Sequence, residues 1–419
     1  MVDNERTTCL VVGGGPAGMV LGLLLARAGV TVTVLEKHGD FLRDFRGDTV
    51  HASTIRLLDE LGLGAEFRKL PQSRLQTVAV PTPDGGIATI GDVSRLRPPY
   101  NYIATVPQWD FLDLLADAAK REPTFTLRMD TEATELVREG GRVAGVRYRT
   151  KTGETGEIRA ELTVGCDGRG SILRDTAGLR IQDFPVPFDV WWFRVPRTET
   201  GGEVSGLSPR IKGNQFMVMI NRGDYYQIAY FQPKGSDARL RAEGIERFRE
   251  RIAALAPELA GRVSAIERMD DVKMLDVKLN RLRRWHTDGL LLIGDAAHAM
   301  SPVGGVGINL AVQDAVAAAT LLAKPLRQHR VRPADLAAIR RRRWFPMVVT
   351  QGLQRLLHRL VVKPALSGKF ATFPAAPLFL TKHIPALRAV PAYIVAIGPR
   401  PEHAPDFARR PNPVSATAP

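Results

Sequence analysis

Short apolar runs alternate with helical stretches along the first part of the chain. Residues 7–12, 30–35 and 159–164 are short and apolar and end at glycine or at an acidic residue, which is typical of buried strands. Residues 17–28, between the first two runs, predict a helix, and Pro107 suits the first turn of another. This order predicts an α/β unit with a parallel sheet.

The middle of the chain follows a different pattern. Residues 189–195, 215–220 and 225–231 are rich in aromatic and β-branched side chains and predict antiparallel strands. A buried strand returns at 290–293, and a long alanine-rich helix is expected at 307–323. The pattern therefore predicts a split α/β domain that encloses a β-rich insertion.

We expect four regions along the chain. They are a discontinuous α/β domain (1–75, 100–180 and 275–330), a β-rich domain (76–99 and 181–274), a C-terminal helical and apolar region (331–397) and a flexible tail (398–419).

The charge of the chain changes this picture only at its end. The 419 residues carry a formal net charge of +14, but the region from Thr320 onward holds 17 basic and 3 acidic residues. The first 319 residues therefore carry no net charge, so the protein is not basic throughout its length. Two distant cysteines predict neither a disulfide framework nor a metal site, and no apolar run is long enough for a membrane span. We expect a cytoplasmic protein without a metal.

The first chemical motif is the glycine loop after residues 7–12. Gly13, Gly15 and Gly18 match G-x-G-x-x-G between a predicted strand and helix, and Glu36 ends the next strand. The helix start offers N–H groups to a pyrophosphate, and Glu36 suits ribose hydroxyls. The motif predicts dinucleotide binding without distinguishing NAD from FAD, and a purely structural turn is the alternative.

Two later motifs also follow predicted strands. One runs from Cys166 through Asp167 to Arg174, and the other runs from Gly294 to Asn309. Each has an acid at the end of a strand followed by residues that expose backbone. In the second, N–H groups at a helix start near 305–307 could stabilise negative charge on an electron-rich ring.

With the three motifs in this order, the chain resembles the group A flavoprotein monooxygenases of the p-hydroxybenzoate hydroxylase type, which include hydroxylases of ubiquinone biosynthesis. The resemblance implies a glutathione-reductase-type, Rossmann-like FAD domain, a β-sheet substrate domain and C-terminal helices. It also implies the reaction: NAD(P)H, a transient donor, reduces FAD, and O₂ then gives a C4a-hydroperoxyflavin that hydroxylates an aromatic or lipophilic small molecule.

The resemblance implies roles for individual residues. Asp167 and Arg174 would affect the use of NAD(P)H, and the backbone of Pro302, Gly304, Gly305, Val306 and Gly307 would lie beside the flavin. The implied FAD contacts are Gly13, Gly15, Ala17, Gly18, Glu36, Arg46, Gln108, Asp167, Asp295, Pro302, Gly305, Gly307, Ile308 and Asn309.

Simpler interpretations of some of these residues stay open. Arg46 can be a solvated surface residue, Gln108 an early helix residue, and Asp167 and Asp295 turn formers or helix caps. We interpret His298 as a packing or capping residue, with a catalytic role as the alternative.

The β-rich insertion should supply the substrate pocket, although strand alternation lets only one of two neighbouring residues face the flavin. The candidates are Trp192, Arg194, Phe216, Val218, Tyr226 and Ile228. Alternatives on the same fold are a flavin-dependent halogenase, faintly suggested by Trp191 to Pro196, and an isoprenoid reductase.

The basic C-terminus leaves two further hypotheses. Nucleic-acid binding by Arg340 to Arg343 is not expected, because no recognised nucleic-acid-binding module surrounds this run. Such a run usually forms a solvent-exposed helix face. A basic helix with Arg355, Arg359 and Lys363 on one face could instead rest on the inner face of a membrane, unless it packs on the FAD domain.

Overall fold

The computed structural model describes residues 4–42, 49–81, 87–197, 207–369, 383–384 and 388–411. The helices are α1 (Pro16–Arg27), α2 (Ala52–Glu60), α3 (Gly64–Lys69), α4 (Gln108–Lys120), α5 (Ile172–Thr176), α6 (Asp237–Ala242), α7 (Gly244–Leu255), α8 (Gly307–Arg327), α9 (Pro333–Leu357), α10 (Lys363–Leu366) and α11 (Ala389–Ala396). The strands are β1 (Asn4–Val12), β2 (Val32–Leu35), β3 (Thr49–Val50), β4 (Ser73–Leu75), β5 (Thr77–Pro81), β6 (Ile87–Asp92), β7 (Ile103–Thr105), β8 (Phe125–Arg128), β9 (Thr131–Glu139), β10 (Arg142–Thr150), β11 (Thr155–Gly165), β12 (Ile181–Asp183), β13 (Phe188–Pro196), β14 (Leu207–Lys212), β15 (Gln215–Asn221), β16 (Tyr225–Pro233), β17 (Lys273–Leu275), β18 (Asn280–Leu282), β19 (His286–Thr287) and β20 (Leu290–Leu292).

An eight-stranded sheet forms the centre of the first layer. Its order is β19-β20-β11-β1-β2-β8, and the strands from β20 to β8 are parallel. The hairpin of β9 and β10 pairs antiparallel to β11. The central strands are apolar because helices cover the sheet, and α1 packs against both α4 and α8. The carboxyl ends of β1, β2, β11 and β20 therefore lie side by side, which brings the sequence motifs together.

A second, seven-stranded sheet has the order β17-β13-β16-β15-β14-β5-β6. The pairings are antiparallel except that β14 runs parallel to β5. Apolar side chains of α7 cover one face of this sheet. The other face turns toward α10 and toward Val303. Smaller sheets are β3-β7-β4 and β12-β18.

The C-terminal region packs along the first layer. Helix α9 lies against α8 and continues into a π-helical turn (His358–Val362) and then α10. Pro364 follows the π-helical turn directly, and the helical course continues past it to the end of α10. Among the described residues, no helix is both long enough and apolar enough to cross a membrane.

The expected flexible tail needs a correction. Residues 398–411 pack on the protein, and Glu402, Ala404 and Ala408 are buried. Backbone and side-chain hydrogen bonds hold this segment, since Arg27 Nη1 donates to Ala408 O at 2.9 Å and Ala404 N donates to Glu60 Oε2 at 2.7 Å. The segment is polar in sequence, but its polar groups have partners on the α/β domain. Residues 412–419 lie outside the described ranges.

Candidate flavin and substrate site

The glycine loop joins β1 to α1 in a tight turn. Gly13 has a φ of +104°, and a Cβ there would overlap the carbonyl of Cys166, just as a Cβ on Gly18 would overlap the carbonyl of Gly13. These two glycines let strand, turn and helix pack closely. At Gly15, by contrast, no described atom lies within 4 Å of where a Cβ would stand. This open backbone at the start of α1, with Ala17 buried behind it, fits an approaching pyrophosphate.

Glu36 follows β2 and turns its carboxylate back to the glycine loop. Its Oε2 accepts a hydrogen bond from Gly14 N at 2.9 Å, and its Oε1 accepts one from His38 N at 3.1 Å. The carboxylate is thereby fixed beside the loop, where the ribose next to a bound pyrophosphate would lie. The ribose contact itself stays a prediction.

Asp167 lies just beyond the end of β11, in contact with the same loop region. Its Oδ2 accepts a hydrogen bond from Leu173 N at 3.2 Å, whereas its Oδ1 is buried and has no partner among the described residues. Burial raises the pKa of Asp167. A buried acceptor without a donor is costly, so this oxygen fits a bound group that brings a hydroxyl or amide donor.

Arg174 is buried, and its guanidinium is used inside the protein. It donates to Asp175 Oδ1 at 3.1 Å, to Arg169 O at 3.2 Å and to Ala296 O at 3.5 Å. Arg174 therefore ties the second motif to the third. Its part in NAD(P)H use stays a prediction, and this geometry favours an indirect effect over a direct contact.

The third motif leads from a 3₁₀ turn (Gly294–Ala296), which holds the half-buried Asp295, into the turn Pro302–Gly307. We call this second turn the flavin loop. Gly305 N donates to Pro302 O at 3.0 Å, and Thr49 Oγ1 donates to Gly305 O at 2.9 Å. The loop is thus closed by an internal hydrogen bond and held from outside by Thr49, while its glycines expose backbone.

Helix α8 starts at the end of the flavin loop. Because Gly307 and Ile308 are its first residues, their N–H groups have no carbonyl partner within the helix, and the helix dipole is positive there. This end can stabilise negative charge on a flavin ring. Asn309 is buried, and its Oδ1 accepts hydrogen bonds from Ser53 Oγ at 2.9 Å and Thr54 Oγ1 at 2.7 Å. The Asn309 side chain therefore ties α8 to α2.

Gln108 and Arg46 are two further predicted FAD contacts. Gln108 is the first residue of α4 and is half-buried. Arg46 lies outside the described residues. The FAD contacts of both residues stay predictions.

Three of the six pocket candidates form an apolar surface. Trp192, Phe216 and Val218 lie on the face of the second sheet that meets Val303 of the flavin loop. Trp192 Nε1 is buried and has no hydrogen-bond partner among the described residues. This face of the sheet and Val303 of the loop therefore belong to one mainly apolar cluster that also holds at least one free donor.

Arg194 lies on the same strand face as Trp192 and forms the polar end of this surface. Its guanidinium carbon is 5.0 Å from the centroid of the Tyr225 ring. Gln227 is its cross-strand neighbour and is buried.

Tyr226 and Ile228 are on the wrong face for the predicted pocket. Both pack in the cluster that contains Phe248 of α7, on the far side of the sheet. The register is the reason: Ile228 pairs with Met219, so the β16 residue beside Val218 has an odd number. Tyr226 and Ile228 therefore lie on the face away from the flavin loop.

A buried charge network, absent from the sequence predictions, lies behind the third motif. Asp314 Oδ2 is 2.6 Å from His298 Nε2 and accepts a hydrogen bond from Gly294 N at 3.2 Å. Its Oδ1 accepts one from Arg343 Nε at 3.0 Å, and Arg343 also pairs with Glu402. Burial alone would raise the pKa of Asp314, but His298 and Arg343 outweigh burial and lower it. A lone acid inside the apolar helix 307–323 was the sequence signal for this network.

These contacts support the interpretation of His298 as a packing residue. They also show that the run from Arg340 to Arg343 is only partly a solvated face, because Arg343 is buried while Arg341 is exposed.

The comparisons with known proteins agree with this geometry. The family profile described as an FAD binding domain matches residues 6–351. The chain is 37% identical over 353 residues to the 6-methylpretetramide 4-monooxygenase of Streptomyces rimosus, with 81% of each protein covered. It is 29% identical over 315 residues to the rifampicin monooxygenase of Streptomyces venezuelae, covering 73% of this chain and 62% of that protein.

Solved structures show the same fold. The anhydrotetracycline hydroxylase from Streptomyces rimosus superposes with a TM-score of 0.74 at 22% identity, over 94% of this chain and 76% of that one. PqsL, a probable FAD-dependent monooxygenase from Pseudomonas aeruginosa, gives a TM-score of 0.72 at 21% identity, over 87% of this chain and 99% of that one. The predicted fold class and family are confirmed, and the chain belongs to the FAD binding domain family as an FAD-dependent monooxygenase of the group A type.

Proposed function

We propose that this monooxygenase hydroxylates a fused-ring aromatic compound held between the second sheet and the flavin loop. The observation that carries the proposal is the apolar surface of Trp192, Phe216 and Val218, which meets Val303 of the flavin loop. Large apolar surfaces with few polar groups suit flat aromatic ligands. Relatives named for 6-methylpretetramide and anhydrotetracycline support this class of substrate.

Within this proposal, the chain positions the reactants and the cofactor supplies the redox chemistry. Bound FAD would take electrons from NAD(P)H and use O₂ to oxygenate the substrate. The glycine loop, Glu36 and Asp167 would hold the FAD, and the start of α8 would stabilise negative charge on its ring. The apolar surface would exclude water from the reacting groups. We also propose that residues 76–99 and 181–274 act as the substrate domain and that the split α/β domain binds FAD.

The experiment is a screen of fused-ring phenols with the purified, FAD-loaded protein. We expect a hit to accelerate NAD(P)H oxidation and to gain one oxygen atom, as measured by mass spectrometry. Acceleration with only hydrogen peroxide as product would identify an effector and not a substrate. Bromide incorporation, or saturation of a prenyl chain without O₂ uptake, would contradict the proposal in favour of a halogenase or an isoprenoid reductase.

We also propose, as a separate property, that the end of α9 and the turn after it rest on anionic lipid. Leu356 and Leu360 are exposed there, beside the exposed Arg359. An apolar strip flanked by positive charge suits a lipid surface. The protein should then co-sediment with vesicles that contain phosphatidylserine and be released by high salt. A protein that stays in the supernatant at low salt would refute this property without affecting the monooxygenase assignment.

A further inference from the structure

Helix α9 and its π-helical turn carry three buried polar side chains that form hydrogen bonds beside the flavin loop. Gln351, Gln354 and His358 lie at positions i, i+3 and i+7, and so on one side of the helix. Gln354 and His358 bind residues 301–303, where the flavin loop begins, and Gln351 binds Asn280 O and Ala299 O. An apolar side chain would fill the same space without needing hydrogen bonds. These three positions are therefore polar because their side chains form hydrogen bonds with neighbouring groups.

Gln354 makes the most extensive contact. Its Nε2 donates to Ser301 O and to Val303 O, each at 2.8 Å, and its Oε1 accepts a hydrogen bond from Ser301 N at 3.2 Å. Gln351 Nε2 donates mainly to Asn280 O at 2.8 Å and adds a longer bond to Ala299 O at 3.4 Å. Residues 299–303 belong to neither a helix nor a strand, so these side chains supply the hydrogen bonds that secondary structure would otherwise provide.

His358 extends the same contact to the second sheet. Its Nε2 lies 2.9 Å from Ser301 Oγ, and Ser301 Oγ accepts a hydrogen bond from Val303 N at 3.3 Å. The ring also packs edge-to-face on Phe188 of β13, with centroids 5.0 Å apart. The π-helical turn (His358–Val362) therefore contacts both walls of the proposed site, and such turns are frequent at functional sites.

We propose that Gln354 and His358 are positioning residues that fix the flavin loop against bound FAD. They thereby couple NAD(P)H oxidation to hydroxylation. This inference rests on the proposed function. Both residues lie beyond residue 351, where the match to the family profile ends. A loop that moves by about 1 Å would shift the N–H groups at the start of α8 away from the ring, and misplacement of that size costs up to about 100-fold in rate.

The decisive variant is Gln354→Met, which keeps the length of the side chain and removes its hydrogen bonds to the loop. We expect the visible absorbance of bound FAD to shift and its midpoint potential to become more negative, because negative charge on the reduced ring is less stabilised. The dissociation constant for FAD should rise about tenfold, and the fraction of NAD(P)H oxidation that yields product should fall about tenfold.

The matched control is Thr350→Val on the same helix. Thr350 is buried and donates to Pro346 O at 2.8 Å within α9, so its loss removes a buried hydrogen bond without touching the loop. This control should keep the flavin spectrum and potential of the wild type. Ser301→Ala is a milder second variant that removes the hydroxyl contacts to His358 and to Val303 N, and it serves if Gln354→Met does not fold.

The inference is overturned if the folded variants bind FAD with the spectrum, potential and dissociation constant of the wild type, even when they unfold more easily. That result would leave Gln354 and His358 as purely structural residues. A wild-type protein that hydroxylates none of the fused-ring compounds would instead count against the proposed function, because the flavin measurements need no substrate.

Discussion

Arg343 of α9 and Asp314 of α8 form a fully buried ion pair, with Nε and Oδ1 3.0 Å apart. The same carboxylate accepts the N–H of Gly294 at the start of the third motif, and the same guanidinium binds Glu402 in the C-terminal segment. One network therefore joins the segment that carries Asp295 to a segment that follows it by about a hundred residues. This contact explains why residues 398–411 are packed on the protein although they look like a tail in the sequence.

Removing one partner of this pair should strongly destabilise the protein. Arg343→Met leaves the buried Asp314 carboxylate without its guanidinium partner, and breaking a buried ion pair in this way typically costs about 3–5 kcal/mol. Denaturant unfolding followed by circular dichroism measures the loss. As a control, Arg341→Met on the exposed side of the same helix should change stability by no more than about 0.5 kcal/mol. Equal losses in both variants would contradict the importance of the buried pair.

Two glycines of the first loop should respond differently to the same substitution. Gly18→Ala places a Cβ on the Gly13 carbonyl, so the protein without cofactor should lose about 1–3 kcal/mol of stability. Gly15 has a φ of −72° and open space, so Gly15→Ala should fold normally. It should bind FAD about tenfold more weakly, because the added methyl group meets the pyrophosphate. Unfolding of the protein without cofactor and titration with FAD separate the two effects. Unchanged FAD affinity in Gly15→Ala would argue against this place for the pyrophosphate.

Substitutions on the two faces of the second sheet should have different effects, one on substrate binding and the other on stability. Trp192→Ala should raise the KM for an identified substrate about tenfold, equivalent to about 1.4 kcal/mol of lost binding. Ile228→Ala, on the face covered by α7, should cost about 2–5 kcal/mol of stability and leave the substrate preference unchanged. The two variants are compared by steady-state kinetics on a panel of substrates and by unfolding curves. A change of substrate preference in Ile228→Ala and none in Trp192→Ala would reverse our assignment of the faces.

His358 should make stability depend on pH. Burial lowers the pKa of His358 to about 4. The unfolded chain takes up a proton near pH 6.5, while the folded protein does not until about pH 4, so this residue reduces stability progressively as the pH falls between these values. Between about pH 7.5 and about pH 5, the wild type should therefore lose more stability than His358→Gln. Denaturation midpoints of both proteins at the two pH values test this, and parallel losses would contradict it.

Features set by local spacing could be predicted from the sequence, and features set by tertiary packing could not. The glycine loop and Glu36 lie within one strand–helix–strand unit, where chain geometry leaves little freedom. Tyr226 and Ile228 lie on the face opposite to the predicted one, because strand register depends on the turn that joins β15 to β16. The Arg343–Glu402 contact spans 59 positions, a separation over which residue patterns carry no pairing information.

The most direct test of the central claim is the visible absorbance of the purified protein before and after reduced nicotinamide is added without air. The account predicts a yellow protein whose flavin absorbance bleaches with NADH or NADPH and returns when air is admitted. A colourless protein that cannot be reconstituted with FAD would contradict the account.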